Sequence, residues 1–440
     1  MLKFFGNIFP KFLVCGGGLG RQARRFFEDF LETGLIIGKA GVHYGESTWQ
    51  IYDALSGETS LLNGANWREM STGDQTRTKF SVGYYLTEKE DSPTSFAELA
   101  RRFASRLHEV YFPWPGLANG RAAVGLPNEE ERTVADLRYC RDHGMKLDLL
   151  ANAMCYGETA CTEEQRRQIV EIVGKLDKLG LYPEIVTTTS PYVARVCKLE
   201  FPDIDVRASV NMELRNTLAY EYLSPLFDSF YICRDIQRDL PTFHRFAAWC
   251  REHGKKLCLL ANSCCLRNCP WHVTHDTILS HMSSKSLLGI DEENCKLLCE
   301  RLFVKHQYAE FLRPGWIRPE DVHLFEPELE VVKLATRTAK YPLEIVEAYL
   351  NYSYDGNLLR LMNPYHGFEF RPYRIDNKSF PADWATGGIA GKCADNCTHC
   401  GKCEQILKQV MKYDIDRSIR AASYSLGGQF QPRKAKGPQS

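Results

Sequence analysis

The sequence predicts an α/β fold built on a TIM-like (β/α)8 barrel, with an N-terminal extension and a cysteine-rich C-terminal segment. Two observations predict the barrel. Between about residues 78 and 337, eight apolar β-like runs alternate with amphipathic helical stretches. These runs lack strict polar alternation, which is typical of parallel strands covered by helices on both faces. A closed barrel is the simplest arrangement of eight such units, and an open doubly wound sheet is the alternative.

The predicted strands and helices follow each other in regular order. The strands are Lys79–Tyr85, Glu109–Trp114, Lys146–Met154, Glu184–Thr189, Val206–Met212, Ser229–Arg234, Lys256–Ser263 and Val331–Arg337. The helices are Ser95–Leu107, Glu129–His143, Thr162–Leu179, one from about Pro191, one from Thr217, and Pro241–His253. The helix at Thr162 opens with a variant of the Thr-x-x-Glu capping pattern, which marks a helix N-terminus.

An internal similarity supports the closed barrel. The words Cys140-Arg-Asp-His-Gly144 and Leu149-Leu-Ala-Asn152 recur as Cys250-Arg-Glu-His-Gly254 and Leu259-Leu-Ala-Asn262, 110 residues later. This offset maps the third strand onto the seventh, which is the four-strand shift that a duplicated half-barrel would produce. The alternative to duplication is that helix–glycine–strand units have converged on similar sequences.

The pattern divides the chain into three parts. Residues 1–76 do not fit the barrel pattern and form the extension, and residues 77–365 form the barrel with a cysteine-rich insertion at 264–316. Residues 366–440 are the C-terminal segment, which is rich in Pro, Gly and Cys and contains one predicted helix near Glu404–Lys412.

Composition narrows the class of protein. The formal net charge is +0, so nothing global favours binding to nucleic acid or to an anionic membrane. No run approaches the roughly 18 apolar residues that a membrane helix needs. We therefore expect a cytoplasmic protein without a membrane partner. The chain has seventeen cysteines, of which several lie singly and the others concentrate in two places. In a reducing compartment, such clusters indicate metal binding rather than a disulfide framework.

The first cluster comprises Cys393, Cys397, Cys400 and Cys403. Four thiolates at such compact spacing can surround a 4Fe–4S cluster, whereas zinc ribbons usually separate their cysteine pairs by more residues. The same stretch contains C-x3-C-x2-C, the spacing that radical SAM enzymes use. Because a fourth cysteine is at hand and the motif follows the barrel, the spacing favours a fully ligated cluster for electron transfer or structure.

The second cluster directly follows the seventh strand, at the barrel end where barrel enzymes keep their sites. Cys265, Cys269 and Cys299 are the preferred ligands of a second 4Fe–4S cluster, with Cys264 or Cys295 as the fourth. The alternatives are zinc, or a cysteine nucleophile paired with His272.

Polar residues near the strand ends are candidates for catalysis. Asn262, His272 and Arg337 are the predicted catalytic residues, and arginines at this end could hold an anionic organic substrate through bidentate contacts. Helix capping and loop hydrogen bonding are the alternative roles.

Three motifs, in this order, resemble proteins of peptidase family U32. Cys265-Leu-Arg-Asn-Cys269-Pro is similar to the family's cysteine-rich stretch, and Trp316-Ile-Arg-Pro-Glu-Asp321 and Val332-Lys-Leu-Ala-Thr-Arg337 are similar to its "IRPED … FKI-x-GR" segment. The resemblance covers roughly residues 79–365. It implies a barrel-like core and an oxygen-sensitive 4Fe–4S cluster bound by barrel cysteines. Family members include collagenase-like proteases and proteins of oxygen-independent hydroxylation, with prephenate as the implied oxygen donor in some.

The leading hypothesis is a cytoplasmic, U32-like iron–sulfur enzyme that hydroxylates, or otherwise changes the redox state of, an organic substrate without oxygen. A peptidase is the second hypothesis. An accessory protein that passes electrons to or from a partner protein is the third.

Overall fold

The computed structural model describes residues 78–89, 92–120, 126, 128–281, 299–326, 328–388 and 397–414, together with the backbone of three N-terminal strands. The chain divides into two compact units, Met1–Thr76 and Arg77–Ser440. In the first unit, β1 (Ala40–Gly45), β2 (Thr48–Asp53) and β3 (Thr59–Leu62) form an antiparallel sheet in the order β1-β2-β3.

The second unit contains a closed barrel of eight parallel strands, which confirms the predicted (β/α)8 fold. Its hydrogen-bonded order is β10-β11-β4-β5-β6-β7-β8-β9. The strands are β4 (Phe80–Gly83), β5 (Glu109–Phe112), β6 (Lys146–Ala151), β7 (Ile185–Thr188), β8 (Asp205–Ala208), β9 (Ser229–Tyr231), β10 (Lys256–Leu260) and β11 (Val331–Leu334). Each lies inside a predicted strand or within one residue of it. Most end earlier than predicted, because the following residues turn into loops, as at the 3-10 turn Val210–Met212.

Helices cover the outside of the barrel. They are α1 (Phe96–Phe103), α2 (Glu129–Asp142), α3 (Glu163–Lys178), α4 (Pro191–Glu200), α5 (Thr217–Leu223), α6 (Leu240–Glu252), α7 (His272–His281) and α8 (Pro342–Leu350). Side-chain caps begin several of them: Thr162 accepts a hydrogen bond from the Gln165 backbone at 3.3 Å, as its capping pattern predicts. No helix in the described ranges is long and apolar enough to cross a membrane.

The two similar sequence segments, at residues 140–152 and 250–262, adopt the same local geometry. His143 stacks on Tyr139 at 4.1 Å between ring centroids, and His253 stacks on Trp249 at 4.2 Å. In both places the histidine Nδ1 also contacts the backbone carbonyl of its stacking partner, at 2.7 and 2.8 Å. The glycine that follows has a positive φ of 83° or 62°, which ends the helix without strain. The strands that follow, β6 and β10, are four positions apart around the barrel.

The described part of the C-terminal segment packs on the same core as the barrel. It contains α9 (Cys397–Cys400) and α10 (Lys402–Val410), and β12 (Tyr373–Ile375) pairs antiparallel with β13 (Met411–Tyr413). Trp384 stacks on Trp316 with 5.5 Å between the ring centroids. Arg313 forms an ion pair with Glu404, with 3.1 Å between the nitrogen and oxygen atoms. Residues in the described ranges 366–388 and 397–414 therefore extend the barrel's hydrophobic core.

The Arg-Pro-Glu-Asp motif holds this junction together. Arg318 donates two hydrogen bonds to Asp321, at 2.7 and 2.8 Å, and its guanidinium lies 5.0 Å from the Phe380 ring centroid. Glu320 accepts hydrogen bonds from the Tyr354 backbone and the Asn377 side chain. Here the motif links the barrel to the C-terminal segment.

Candidate functional site

The candidate site lies at the C-terminal ends of the barrel strands, where β10 and β11 end side by side. Asn262 is fully buried just after β10. Its side-chain Oδ1 atom accepts a hydrogen bond from the Ala335 backbone N–H at 2.6 Å. Its side-chain Nδ2 atom donates to the backbone carbonyls of Leu361 at 2.9 Å and Ala335 at 3.3 Å. These bonds to backbone join the loops after the two strands, so this predicted catalytic residue has a clear positioning role.

The predicted cysteine ligands of the barrel mouth gather around Cys265. Burial is the main cause that raises the pKa of Cys264, Cys269 and Cys299, and the charge of Cys265 raises each of them further. Charge effects of this kind require neighbouring groups. The structure thus brings three preferred ligands together. Cys295, a candidate fourth ligand, lies outside the described residues.

Cys265, Cys269 and Cys299 are the described residues that could hold an iron–sulfur cluster here. The Cys264 thiol is buried and donates to the Pro364 carbonyl at 2.9 Å, whereas Cys265 and Cys269 are half-buried. Arg234 places its Nη1 atom 3.8 Å from the Cys265 sulfur. Cysteine thiolates are ligands of both iron–sulfur clusters and zinc.

His272 lies between two carboxylates beside this cluster of cysteines. Its Nδ1 atom is 2.5 Å from Glu213 and its Nε2 atom is 2.8 Å from Asp276. Burial alone would lower the pKa of His272, but the hydrogen bonds to Asp276 and Glu213 raise it to about 9. An imidazole that stays protonated at neutral pH is a poor general base, which disfavours the pairing of a cysteine nucleophile with His272.

Glu213, Cys233 and Asp235 also place potential metal-binding atoms within 4.8 Å of one another. Arg215 already contacts both carboxylates, at 3.2 Å to Glu213 and 2.7 Å to Asp235. The ion pairs account for this group without a metal.

A cavity of about 340 Å³ opens at the same end of the barrel, after strands β6, β7 and β8. Its lining combines apolar side chains with hydroxyl groups: Ala153, Met154, Tyr156, Thr189, Ser190 and Met212. Arg337, the third predicted catalytic residue, follows β11 and donates to Asn119 at 3.1 Å. The mouth therefore offers both a cavity and a cationic residue.

The barrel lumen contains ionisable residues, of which the sequence singled out only Arg207, as one of the arginines that could hold an anionic substrate. Arg207 donates to both carboxylate oxygens of Glu109, at 2.8 and 3.0 Å, and lies 3.8 Å from Asp148. The charges of Asp148 and Arg207 also act on Lys333. Most barrels of this type fill the lumen with branched apolar side chains. The signal in the sequence was the presence of charged residues inside the four strands β5, β6, β8 and β11.

The four C-terminal cysteines are only partly described. Cys393 lies outside the described residues, and Cys397 is placed in α9 without its side chain. Cys400 is exposed, whereas Cys403 is buried in the core at the start of α10. The C-terminal cluster thus stays a prediction.

Comparisons with known proteins agree with the resemblance in the motifs. No family model matches the chain. An uncharacterized protease, MJ1657 of Methanocaldococcus jannaschii, is 24% identical over 328 residues, which cover 72% of this chain and 92% of the relative. The structure of the U32 peptidase Mk0906 aligns with 50% of this chain and 82% of its own, at 13% identity and a TM-score of 0.38. An endo-β-1,4-mannanase from Thermotoga petrophila aligns with 43% and 61%, at 11% identity and a TM-score of 0.32.

Fold and site together define a (β/α)8 barrel protein with a cysteine-rich mouth. Within that class its motifs resemble those of peptidase family U32, and the chain is similar to an uncharacterized protease.

Proposed function

We propose that this U32-like chain is an iron–sulfur enzyme that hydroxylates an organic substrate, or changes its redox state, without oxygen. One observation supports the proposal: Cys269 and Cys299 both lie close enough to Cys265, in the loop after β10, for its charge to raise their pKa. Barrel enzymes keep their active sites at this end.

In this proposal each group at the mouth has a distinct role. The three cysteines hold a 4Fe–4S cluster with Cys264 or Cys295, and Arg234 stabilises the thiolate of Cys265. The cluster supplies one-electron redox chemistry at a potential that its surroundings set. Asn262 holds the adjoining loops in place, and the 340 Å³ cavity receives the substrate. A second cluster at the C-terminal cysteines exchanges electrons with a donor or partner protein, or braces the segment.

The test is an iron and sulfide count on protein purified without oxygen. Two clusters correspond to about eight irons per chain, and the Cys265→Ala/Cys269→Ala variant should lose about four of them. Cys250→Ala is the control, because Cys250 is also a cysteine of the barrel unit but is buried on α6, away from the mouth. An iron count that the double substitution leaves unchanged excludes the barrel cluster, and zinc in place of iron excludes the redox proposal.

A peptidase is the second candidate, because the relative from Methanocaldococcus jannaschii is described as a protease. Peptide hydrolysis needs an activated nucleophile or a metal-bound water, and the protonated His272 suits neither. Hydrolysis of gelatin by iron-free protein would favour this candidate. If the protein is inactive until a partner protein is added, an accessory role is favoured instead.

A further inference from the structure

Charged residues surround Lys333 near the C-terminal end of β11. The charges of Asp148, Arg207, Arg337 and Glu109 all act on its ammonium. Glu109 accepts two hydrogen bonds from Arg207. Asp148 accepts from Thr187 at 2.9 Å and lies 3.8 Å from Arg207.

Lys333 is a buried cation near the C-terminal end of β11. It pairs across the sheet with Leu260, the last residue of β10, and is only 8% exposed. Its ammonium lies 3.7 Å from the Tyr111 ring centroid and 5.3 Å from that of Tyr231. Within the part of the chain that the structure describes, this ammonium has ring contacts but no ion pair or hydrogen bond.

The Tyr231 hydroxyl provides a second, independent observation. Tyr231 is 1% exposed at the end of β9, and its hydroxyl has no hydrogen-bond partner among the described residues. A buried hydroxyl without a partner costs about 1–3 kcal/mol. A ligand oxygen that reaches the floor of the mouth would satisfy both the hydroxyl and the ammonium.

We propose that Lys333 and Tyr231 form a binding site for a carboxylate group of the substrate at the floor of the barrel mouth. The proposal deepens the proposed function, since it takes the mouth as the substrate site. β11, which carries Lys333, is hydrogen-bonded to β10, whose following loop carries Cys265 and Cys269. A molecule anchored at Lys333 thus lies on the same side of the barrel as the proposed cluster.

The electrostatics of Lys333 agree with this role. Burial lowers the pKa of Lys333 to about 8; the charge of Asp148 opposes this shift, whereas Arg207 and Arg337 add to it. A carboxylate at the site would favour the charged ammonium and raise this pKa again.

The experiment measures binding of simple carboxylates by calorimetry at pH 7. Acetate, benzoate and succinate are titrated into the wild-type protein and into the Lys333→Met and Lys256→Met variants. Lys256 is the matched control, because it is also a barrel-strand lysine but pairs with Asp205 at 2.6 Å at the opposite end of the strands. At least one carboxylate should bind the wild type and Lys256→Met, and Lys333→Met should bind it at least about tenfold more weakly.

A second measurement covers the case in which Lys333→Met fails to fold. Wild-type protein is labelled sparingly with acetic anhydride, and the labelled lysines are identified by mass spectrometry. Saturating carboxylate should protect Lys333 but not Lys256. Failure of all three carboxylates to bind the wild type, equal affinity in Lys333→Met, or unprotected Lys333 would each overturn the proposal.

Iron counts on the same samples separate this proposal from the proposed function. Carboxylate binding in protein that never holds iron refutes the iron–sulfur enzyme and leaves the Lys333 site standing. Iron in the expected amount without carboxylate binding refutes the Lys333 site alone.

Discussion

Loss of the Arg207 guanidinium should destabilise the barrel more than any surface substitution. Arg207 and Glu109 are both 1% exposed at their side chains and share two hydrogen bonds at 2.8 and 3.0 Å. Arg207 also donates to Ser229 at 3.1 Å and lies 3.8 Å from Asp148. Arg207→Met therefore leaves two buried carboxylates facing each other. Breaking a buried pair in this way costs about 3–5 kcal/mol.

The loss of stability in Arg207→Met should disappear when both Glu109 and Arg207 are replaced. Glu109→Gln/Arg207→Met removes both charges at similar volume, and such replacements of whole buried pairs are often close to neutral. Urea unfolding of the wild type, the two single variants and the double variant gives the coupling free energy. A cost below about 1 kcal/mol for Arg207→Met, or additive effects of the two substitutions, would refute this account of the lumen.

The same pair predicts a pH dependence of stability. Burial raises the pKa of Glu109, but the charge and hydrogen bonds of Arg207 outweigh it, so the net shift is downward from 4.5. A lowered pKa in the folded state contributes stability that is present above the unfolded value and is lost as the pH falls through the folded value. The wild type should therefore lose stability relative to the double variant as the pH falls below about 4.5.

Three further substitutions test other parts of the structure. In Gly83→Ala, the new Cβ would lie 2.5 Å from a ring carbon of Tyr111, so unfolding free energy should fall by about 1–3 kcal/mol. His272→Gln should cost most below pH 6.5 and progressively less as the pH rises through about 9, because the raised pKa of His272 stabilises only the protonated form. Arg318→Ala should cost about 3 kcal/mol by leaving its buried partner unpaired, and should speed proteolysis of residues 366–414.

Each of these substitutions has a matched control. Gly174→Ala lies in α3, where a Cβ meets nothing within 4 Å, and should stabilise by about 0.5–1 kcal/mol. His253→Gln removes an exposed histidine, and Arg101→Ala removes a surface arginine paired within α1. If a control changes the unfolding free energy as much as the test substitution does, the contact proposed for the test residue is not the cause of that change.

The alternation of strands and helices was predictable because it depends on local sequence. A buried parallel strand needs a short apolar run, and a covering helix needs an amphipathic one, so neither requires knowledge of distant residues. All eight strands were placed within a few residues for this reason. Their C-terminal ends were less accurate, since the point where a strand leaves the sheet depends on its neighbours' hydrogen bonds, as after Ala208.

The cysteine grouping was only partly predictable. Spacing indicated that Cys265 and Cys269 belong together, but Cys299 lies 30 residues beyond Cys269, and only the tertiary structure brings it near Cys265. The roles of polar residues were less accessible still. Asn262 hydrogen-bonds to backbone near residues 335 and 361, and His272 is held protonated by Glu213, so each role is decided by atoms far away in sequence.

The sequence by itself therefore determined the barrel, the order of its elements, the two groups of cysteines and the motifs that resemble the U32 family. Only the tertiary structure decided which charges share the lumen, because closure of the barrel places side chains from β5, β6 and β8 within a few ångströms. Glu109 and Arg207 are 98 residues apart in the chain and 2.8 Å apart in the fold. Contacts of that kind leave no periodic trace, since a charged residue inside a strand does not indicate which distant residue it will contact.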